Sequence, residues 1–179
     1  MDNAPHLGLI GLGTMGAALA LNIAENGYAI AVFNRTASVT DAFMASAGAL
    51  AARLTPAHTL EEFVAAITPP RSIILMVPAG PVVDDQIAKL RPLLGPGDLI
   101  IDAGNANYTD TERRARETAA DAFDFMGIGV SGGEDGARHG PSIMAGGDVA
   151  HWQRVGLLGR FRRGWHGYGW WGTSTEYAH

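Results

Sequence analysis

Short, nearly unbroken apolar runs alternate with longer stretches in which apolar residues recur at helical spacing. The runs predict strands at Leu7–Ile10, Ala29–Phe33, Ser72–Val77, Leu99–Asp102 and Phe123–Gly127, with a weaker one near Ala49–Leu54. Helical patterns cover Met15–Asn26, Ser38–Ser46, Leu60–Ile67, Val82–Leu93 and Thr109–Ala120. Gly27, Gly48, Pro69-Pro70 and Gly95-Pro96-Gly97 punctuate the joins. A run such as Ile73-Ile74-Leu75-Met76-Val77 has no polar alternation, which suits a strand covered on both faces. Strands alternating with helices predict an α/β fold: a doubly wound, mostly parallel sheet of Rossmann type.

The first predicted turn carries chemistry. Gly11-Leu12-Gly13-Thr14-Met15-Gly16 is a G-x-G-x-x-G loop between a strand and a helix. In that context each glycine has a task. Gly11 allows the tight turn, Gly13 lets a pyrophosphate approach the backbone, and Gly16 lets the helix pack close to the sheet. The helix N-terminus offers free N–H groups and a positive dipole end to phosphates. About 20 residues on, an NAD site carries an Asp or Glu for the ribose hydroxyls. Here Asn34-Arg35-Thr36 closes the second strand instead. A carboxylate would repel a 2′-phosphate, whereas a guanidinium holds one in a fork. The pattern therefore predicts NADP rather than NAD, against the alternative of an ordinary surface Arg at a strand end.

Composition sets the frame. A chain of 179 residues with 47% hydrophobic and 17% charged residues predicts a single globular domain with a real core. The net charge of −5 argues against a broad nucleic-acid surface. No cysteine is present, so disulfides and thiolate metal sites are excluded. No His/Asp/Glu cluster has metal-ligand spacing and no G-x-S-x-G elbow occurs. Met1–His6 lacks the pattern of a signal peptide, and no apolar run reaches the roughly 18 residues of a membrane span. The expected address is the cytoplasm. The composition changes after about Asp148, beyond which lie all four tryptophans, Trp152, Trp165, Trp170 and Trp171. The expected division is a binding domain over 1–150 and an irregular Gly/Trp/Arg-rich tail over 151–179. An out-of-frame tail is preferred there to an Arg/Trp patch for nucleic acid or membrane, because regular spacing is lacking.

Three further loops leave carboxyl ends of predicted strands, where open α/β sheets bind ligands. Val77-Pro78-Ala79-Gly80 is either a lining for the nicotinamide side or a plain turn. In Asp102-Ala103-Gly104-Asn105-Ala106-Asn107, the Asn105 amide has the donor and acceptor to bridge a carboxamide and a substrate hydroxyl. Asn107 or Thr109 is expected only to cap the next helix. The third loop runs from Val130 to Pro141. Ser131, Gly132 and Gly133 offer a hydroxyl and N–H groups to a substrate carboxylate or hydroxyl. Glu134, Asp135, Arg138 and His139 read as a solvated turn, and His139 as structural, with no acid assigned to orient it.

Gly11-Leu12-Gly13-Thr14-Met15-Gly16, Phe33-Asn34-Arg35-Thr36, Ile101-Asp102-Ala103-Gly104-Asn105 and Val130-Ser131-Gly132-Gly133-Glu134, with Gly136-Ala137-Arg138 and Gly140-Pro141-Ser142, occur in that order. Together they resemble the decarboxylating 6-phosphogluconate dehydrogenases of the pentose phosphate pathway, from about Leu7 to Gly147. The resemblance implies NADP held by Gly11–Gly16 and by Asn34, Arg35 and Thr36. It implies cofactor contacts from Val77, Pro78 and Ala79, and Asn105 near both cofactor and substrate. Ser131, Gly132 and Gly133 would touch 6-phosphogluconate, and the family assembly is a homodimer. Hydride would pass from the substrate's C3 to NADP, with loss of CO2 giving ribulose 5-phosphate. Pro78 stands where the family often has Lys. The family's catalytic Lys opens a Lys-Met-Val-His-Asn-Gly-Ile-Glu-Tyr stretch at the head of a helical domain. The only lysine here is Lys89, upstream in a predicted helix, and Glu176-Tyr177 is a faint echo of that stretch. The expectation is therefore a cofactor-binding part with no catalytic residue of its own. The alternatives are a non-catalytic truncated NADP-binding module and a related hydroxyisobutyrate-type 3-hydroxyacid dehydrogenase.

Overall fold

Every second strand residue faces the same side, and here both sides are apolar, so the sheet needs helices on each face. The computed structural model describes residues 4–146 and 151. The strands are β1 (Leu7–Ile10), β2 (Ile30–Phe33), β3 (Leu54–Ala57), β4 (Ser72–Leu75), β5 (Leu99–Asp102), β6 (Asp124–Ser131) and β7 (Ser142–Gly146). The helices are α1 (Thr14–Glu25), α2 (Ala37–Ser46), α3 (Leu60–Ala65), α4 (Pro81–Leu90), α5 (Tyr108–Thr118) and α6 (Gly133–His139). The strands form one sheet in the order β3-β2-β1-β4-β5-β6-β7, parallel except for β7.

Leu7, Leu9, Ile30, Val32, Leu99 and Ile101 pack on one face with Leu19 and Ile23 of α1 and Phe43 of α2. Ile10, Ala31, Phe33, Ile73, Leu75 and Ile100 pack on the other with Phe63 of α3 and Val83, Ile87 and Leu90 of α4. The chain thus leaves β1 towards one face and β4 towards the other. The two strands are neighbours, so their carboxyl ends bracket a crevice at the switch point.

Three expectations need correction. The strand expected near Ala49–Leu54 starts only at Leu54: Gly48–Arg53 is a 3-10 helix, and β3 follows it. The Pro56 that argues against a strand is accommodated because β3 is an edge strand. Met76 and Val77 lie past the end of β4 and belong to the loop. The stretch from Val130 to Pro141 is not one loop but the end of β6, α6 and the turn into β7. The tail predicted for 151–179 lies, apart from residue 151, outside the described residues.

Asn22 explains how a Gly-rich segment becomes α6. Asn22, 2% exposed in the middle of α1, donates to the Ala137 carbonyl at 3.0 Å and accepts from Asn26 Nδ2 at 2.7 Å. Ala137 lies in the last turn of α6, where carbonyls have no partner within the helix. Arg138 pairs with Glu25 at the rim of the same contact and holds that carboxyl below its ordinary range. Asn22→Ala should cost about 1–3 kcal/mol, because it leaves a buried carbonyl unsatisfied. A urea midpoint unchanged from wild type would show that this bond does not anchor α6.

Candidate functional site

The loop after β1 is shaped by two close approaches. Gly11 has φ 101°, and a Cβ there would fall 2.3 Å from the Met76 carbonyl oxygen. A Cβ on Gly16 would fall 1.8 Å from the Gly11 carbonyl oxygen. Gly13 is different. Its φ of −68° and ψ of −178° suit any residue, it is exposed, and a Cβ would meet no atom within 4 Å. The fold does not need glycine at Gly13, and the open space lies directly at the start of α1. No side chain caps that helix and no acid sits in its first turn. Its first N–H groups face the crevice with the dipole's positive end.

The neighbouring loops close around this point. Gly11 N–H donates to the Phe33 carbonyl, Met76 N–H to Ile10 and Ala103 N–H to Leu75, so β2, β1, β4 and β5 end side by side. Asn34 is more committed than its place suggests. Its Oδ1 accepts from Leu12 N–H at 3.1 Å, its Nδ2 donates to the Thr36 carbonyl at 3.3 Å, and its own N–H donates to Thr40 Oγ1. Asn34 therefore ties the glycine loop to the end of β2. Arg35 and Thr36 are exposed, and among the described residues none pairs with the Arg35 guanidinium.

On the other side of the crevice, Val77 is half-buried, and Pro78 and Ala79 are exposed. Asn105 is exposed with φ 57°, a left-handed conformation that Asn tolerates. Asn107 caps α5 by accepting from Thr109 N–H at 3.1 Å. Ser131 lies four residues beyond Gly127, the register partner of Asp102, and so stands about 13 Å past the end of β5. Gly132 turns at φ 110°, and Gly133 starts α6 with φ 61°. His139 does have an acid: its Nδ1 is 3.0 Å from Asp135 Oδ1, one turn back on α6, and both groups are exposed. Lys89 lies in the last turn of α4. That helix runs back from the carboxyl edge, so Lys89 sits about 12 Å along it from its first residue, Pro81.

The loops on this second side are held by charges that sequence reasoning missed. Arg114, with a side chain 1% exposed, donates from Nε to Asp84 Oδ1 at 2.7 Å, from Nη1 to Asp102 Oδ2 at 3.1 Å and from Nη2 to the Gly80 carbonyl at 2.9 Å. Asp102 Oδ1 accepts from Gly104 N–H at 3.0 Å. Burial raises the Asp102 pKa even against these donors, whereas the hydrogen bond from Arg114 lowers that of Asp84. The signal was present in the helical pattern of α5. Its inward face is Thr111, Arg114 and Thr118, with no large apolar residue. A helix of that kind must bury a polar network. Among the described residues no group of His, Asp or Glu has the arrangement to hold a metal, and no helix is long and apolar enough to cross a membrane.

The comparisons agree with this geometry. A family model described as the NAD binding domain of 6-phosphogluconate dehydrogenase matches residues 6–158. A decarboxylating 6-phosphogluconate dehydrogenase of Synechococcus elongatus is 54% identical over 150 residues, 84% of this chain and 32% of that protein. The chain thus spans about a third of the length of the curated relatives it matches. A Plasmodium falciparum 6-phosphogluconate dehydrogenase, solved in apo form, with its cofactor NADP+ and with its substrate 6-phosphogluconate, is 39% identical. It has a TM-score of 0.80, covering 85% of this chain and 32% of that one. A Mycobacterium tuberculosis 3-hydroxyisobutyrate dehydrogenase shares the fold at TM-score 0.78 but only 23% identity, covering 93% of this chain and 54% of that one.

Proposed function

The chain belongs to the 6-phosphogluconate dehydrogenase family, and on that premise we propose that it is the NADP-binding part of an oxidative decarboxylation of 6-phosphogluconate to ribulose 5-phosphate and CO2. The observation that carries this reading is the pairing of an open cradle at Gly13 with an uncommitted guanidinium at Arg35. The backbone of Gly11, Leu12, Gly13, Thr14, Met15 and Gly16 seats the pyrophosphate at the start of α1. Arg35, with Thr36, reads the 2′-phosphate at the end of β2, and Asn34 holds the glycine loop against that end. Val77, Pro78, Ala79 and Asn105 then line the nicotinamide half, because it must lie across the switch point from the adenosine. Asn105, Ser131, Gly132 and Gly133 meet the substrate. Bound NADP supplies the hydride acceptor for the substrate's C3.

What these residues do is bind, orient and space the reactants. Oxidising an alcohol also needs a base for the hydroxyl proton. Lys89 cannot reach, since it occupies the far end of α4. We therefore expect the chain alone to bind NADP with little or no turnover, and turnover above blank would overturn that part. Residues 1–150 form the binding unit, with 151–179 as an appended tail. A cytoplasmic setting accompanies the reading.

Arg35→Ala tests it. The guanidinium's charge-assisted bonds to a 2′-phosphate are worth about 1.5–3 kcal/mol, so NADP affinity should fall about 10–100-fold. NAD, which lacks that phosphate, should change little. Equal losses in calorimetric titrations of the two cofactors would show that Arg35 does not read the 2′-phosphate.

A further inference from the structure

The Arg114 network has an unusual distribution of partners. A buried ion pair that serves only stability is no better than well-packed apolar residues in its place. The partners here belong to the rim of the sheet. Gly80 ends the loop after β4, Asp84 lies in the first turn of α4, and Asp102 is the last residue of β5. Asp102 in turn takes the N–H of Gly104, in the loop after β5. The two loops also touch directly, since a Cβ on Gly104 would fall 2.4 Å from the Val77 carbonyl oxygen. A guanidinium is the group for this position. Its donors point outward in one rigid plane, whereas an ammonium is a single point charge.

We infer that Arg114 is a positioning residue: it fixes the separation of the loops after β4 and β5, and so the seat of the cofactor's nicotinamide half. The inference rests on the NADP reading above and adds a division of labour to it. Asn34 ties the glycine loop to the end of β2, on the adenosine side. Arg114 ties Gly80 to Asp102, on the nicotinamide side. The two ties share no residue, so each half of the site is braced separately.

The test uses two ligands on the full chain. NADP spans both halves, whereas 2′,5′-ADP fills only the adenosine half. Arg114→Lys keeps a cation beside Asp102 but cannot reach all three partners. Asp84→Ala, whose parent side chain is 37% exposed, leaves the partners Asp102 and Gly80 in place but removes the carboxylate that fixes the plane of the guanidinium from α4, so the tie loses its set geometry. In calorimetric titrations each variant should bind NADP about tenfold more weakly, as expected when a remote change misplaces a contact loop. Binding of 2′,5′-ADP should stay at the wild-type value. If Arg114→Lys does not fold, Asp84→Ala decides by itself. A wild type that binds both ligands, with a folded variant that loses both equally or neither, overturns the positioning role. A wild type that binds neither overturns the NADP reading and this inference with it.

Discussion

Gly16→Ala should unfold this domain at a much lower temperature, whereas Gly13→Ala should leave folding almost untouched and severely weaken cofactor binding. The two glycines are three residues apart in one motif, but their surroundings are opposite. The added methyl at Gly16 would sit 1.8 Å from the Gly11 carbonyl oxygen and 3.3 Å from Met76 Cβ. The nearer obstacle is backbone, so no rotamer change relieves it. Overpacking of this kind costs typically about 1–3 kcal/mol and more where nothing yields. We expect at least about 3 kcal/mol here, a large part of the roughly 5–15 kcal/mol that holds a domain together. At Gly13 the methyl meets nothing and the backbone angles are ordinary. As the residue before α1, an alanine there is a slightly poorer cap than glycine, so the cost stays within about 1 kcal/mol. The methyl would occupy the space where the pyrophosphate approaches, and NADP affinity should fall on the order of 100-fold or more. Thermal unfolding and fluorescence titration with NADPH check both halves. A Gly13→Ala chain that binds NADPH as well as wild type would place the pyrophosphate elsewhere.

Arg114→Met should destabilise the chain by about 3–5 kcal/mol at neutral pH, because it leaves Asp102 buried without its counter-charge. The effect should depend on pH in a defined direction. Burial already raises the Asp102 pKa above 3.8, so its carboxyl contributes most to stability when protonated, and that contribution is lost as pH rises through the folded value. Without Arg114 the folded value rises further. Asp84 has the opposite habit: its pKa is lowered, chiefly by the hydrogen bond from Arg114. In the wild type its stabilisation is present above 3.8 and lost as pH falls through the lowered value, and in Arg114→Met that stabilisation shrinks. Both changes make the variant weakest relative to wild type at neutral pH. Lowering the pH towards 3.8 should narrow the gap in denaturant unfolding. A gap that is constant with pH would mean that neither carboxylate is responsible.

The parallel strands β1, β2, β4 and β5 were legible because each is a nearly unbroken apolar run, whereas the edge strand β3, with Thr55 and Pro56 exposed, was not. The glycine loop was legible because its residues act locally, at a turn and a helix start. Asn107 was readable as a cap for the same reason. The end of β6 was not readable, nor were α6 and β7. Gly133–His139 contains poor helix formers, and it is a helix because α1 offers Asn22 to Ala137 and Glu25 to Arg138. The hidden partners of Arg114 lie at positions 80, 84 and 102, on three separate elements.

By itself the sequence determined the layering, the switch-point crevice, the glycine cradle and the guanidinium beside it. Those follow from side-chain period and from groups a few residues apart. Only the tertiary structure decided which glycine is demanded by packing and which stands before open space. It also decided that Asn34 is already spent on tying loops together, and that a buried cation braces the far side of the crevice. Each of these is a contact between residues distant along the chain, and burial changes the energy of such a contact in a way that no local pattern records.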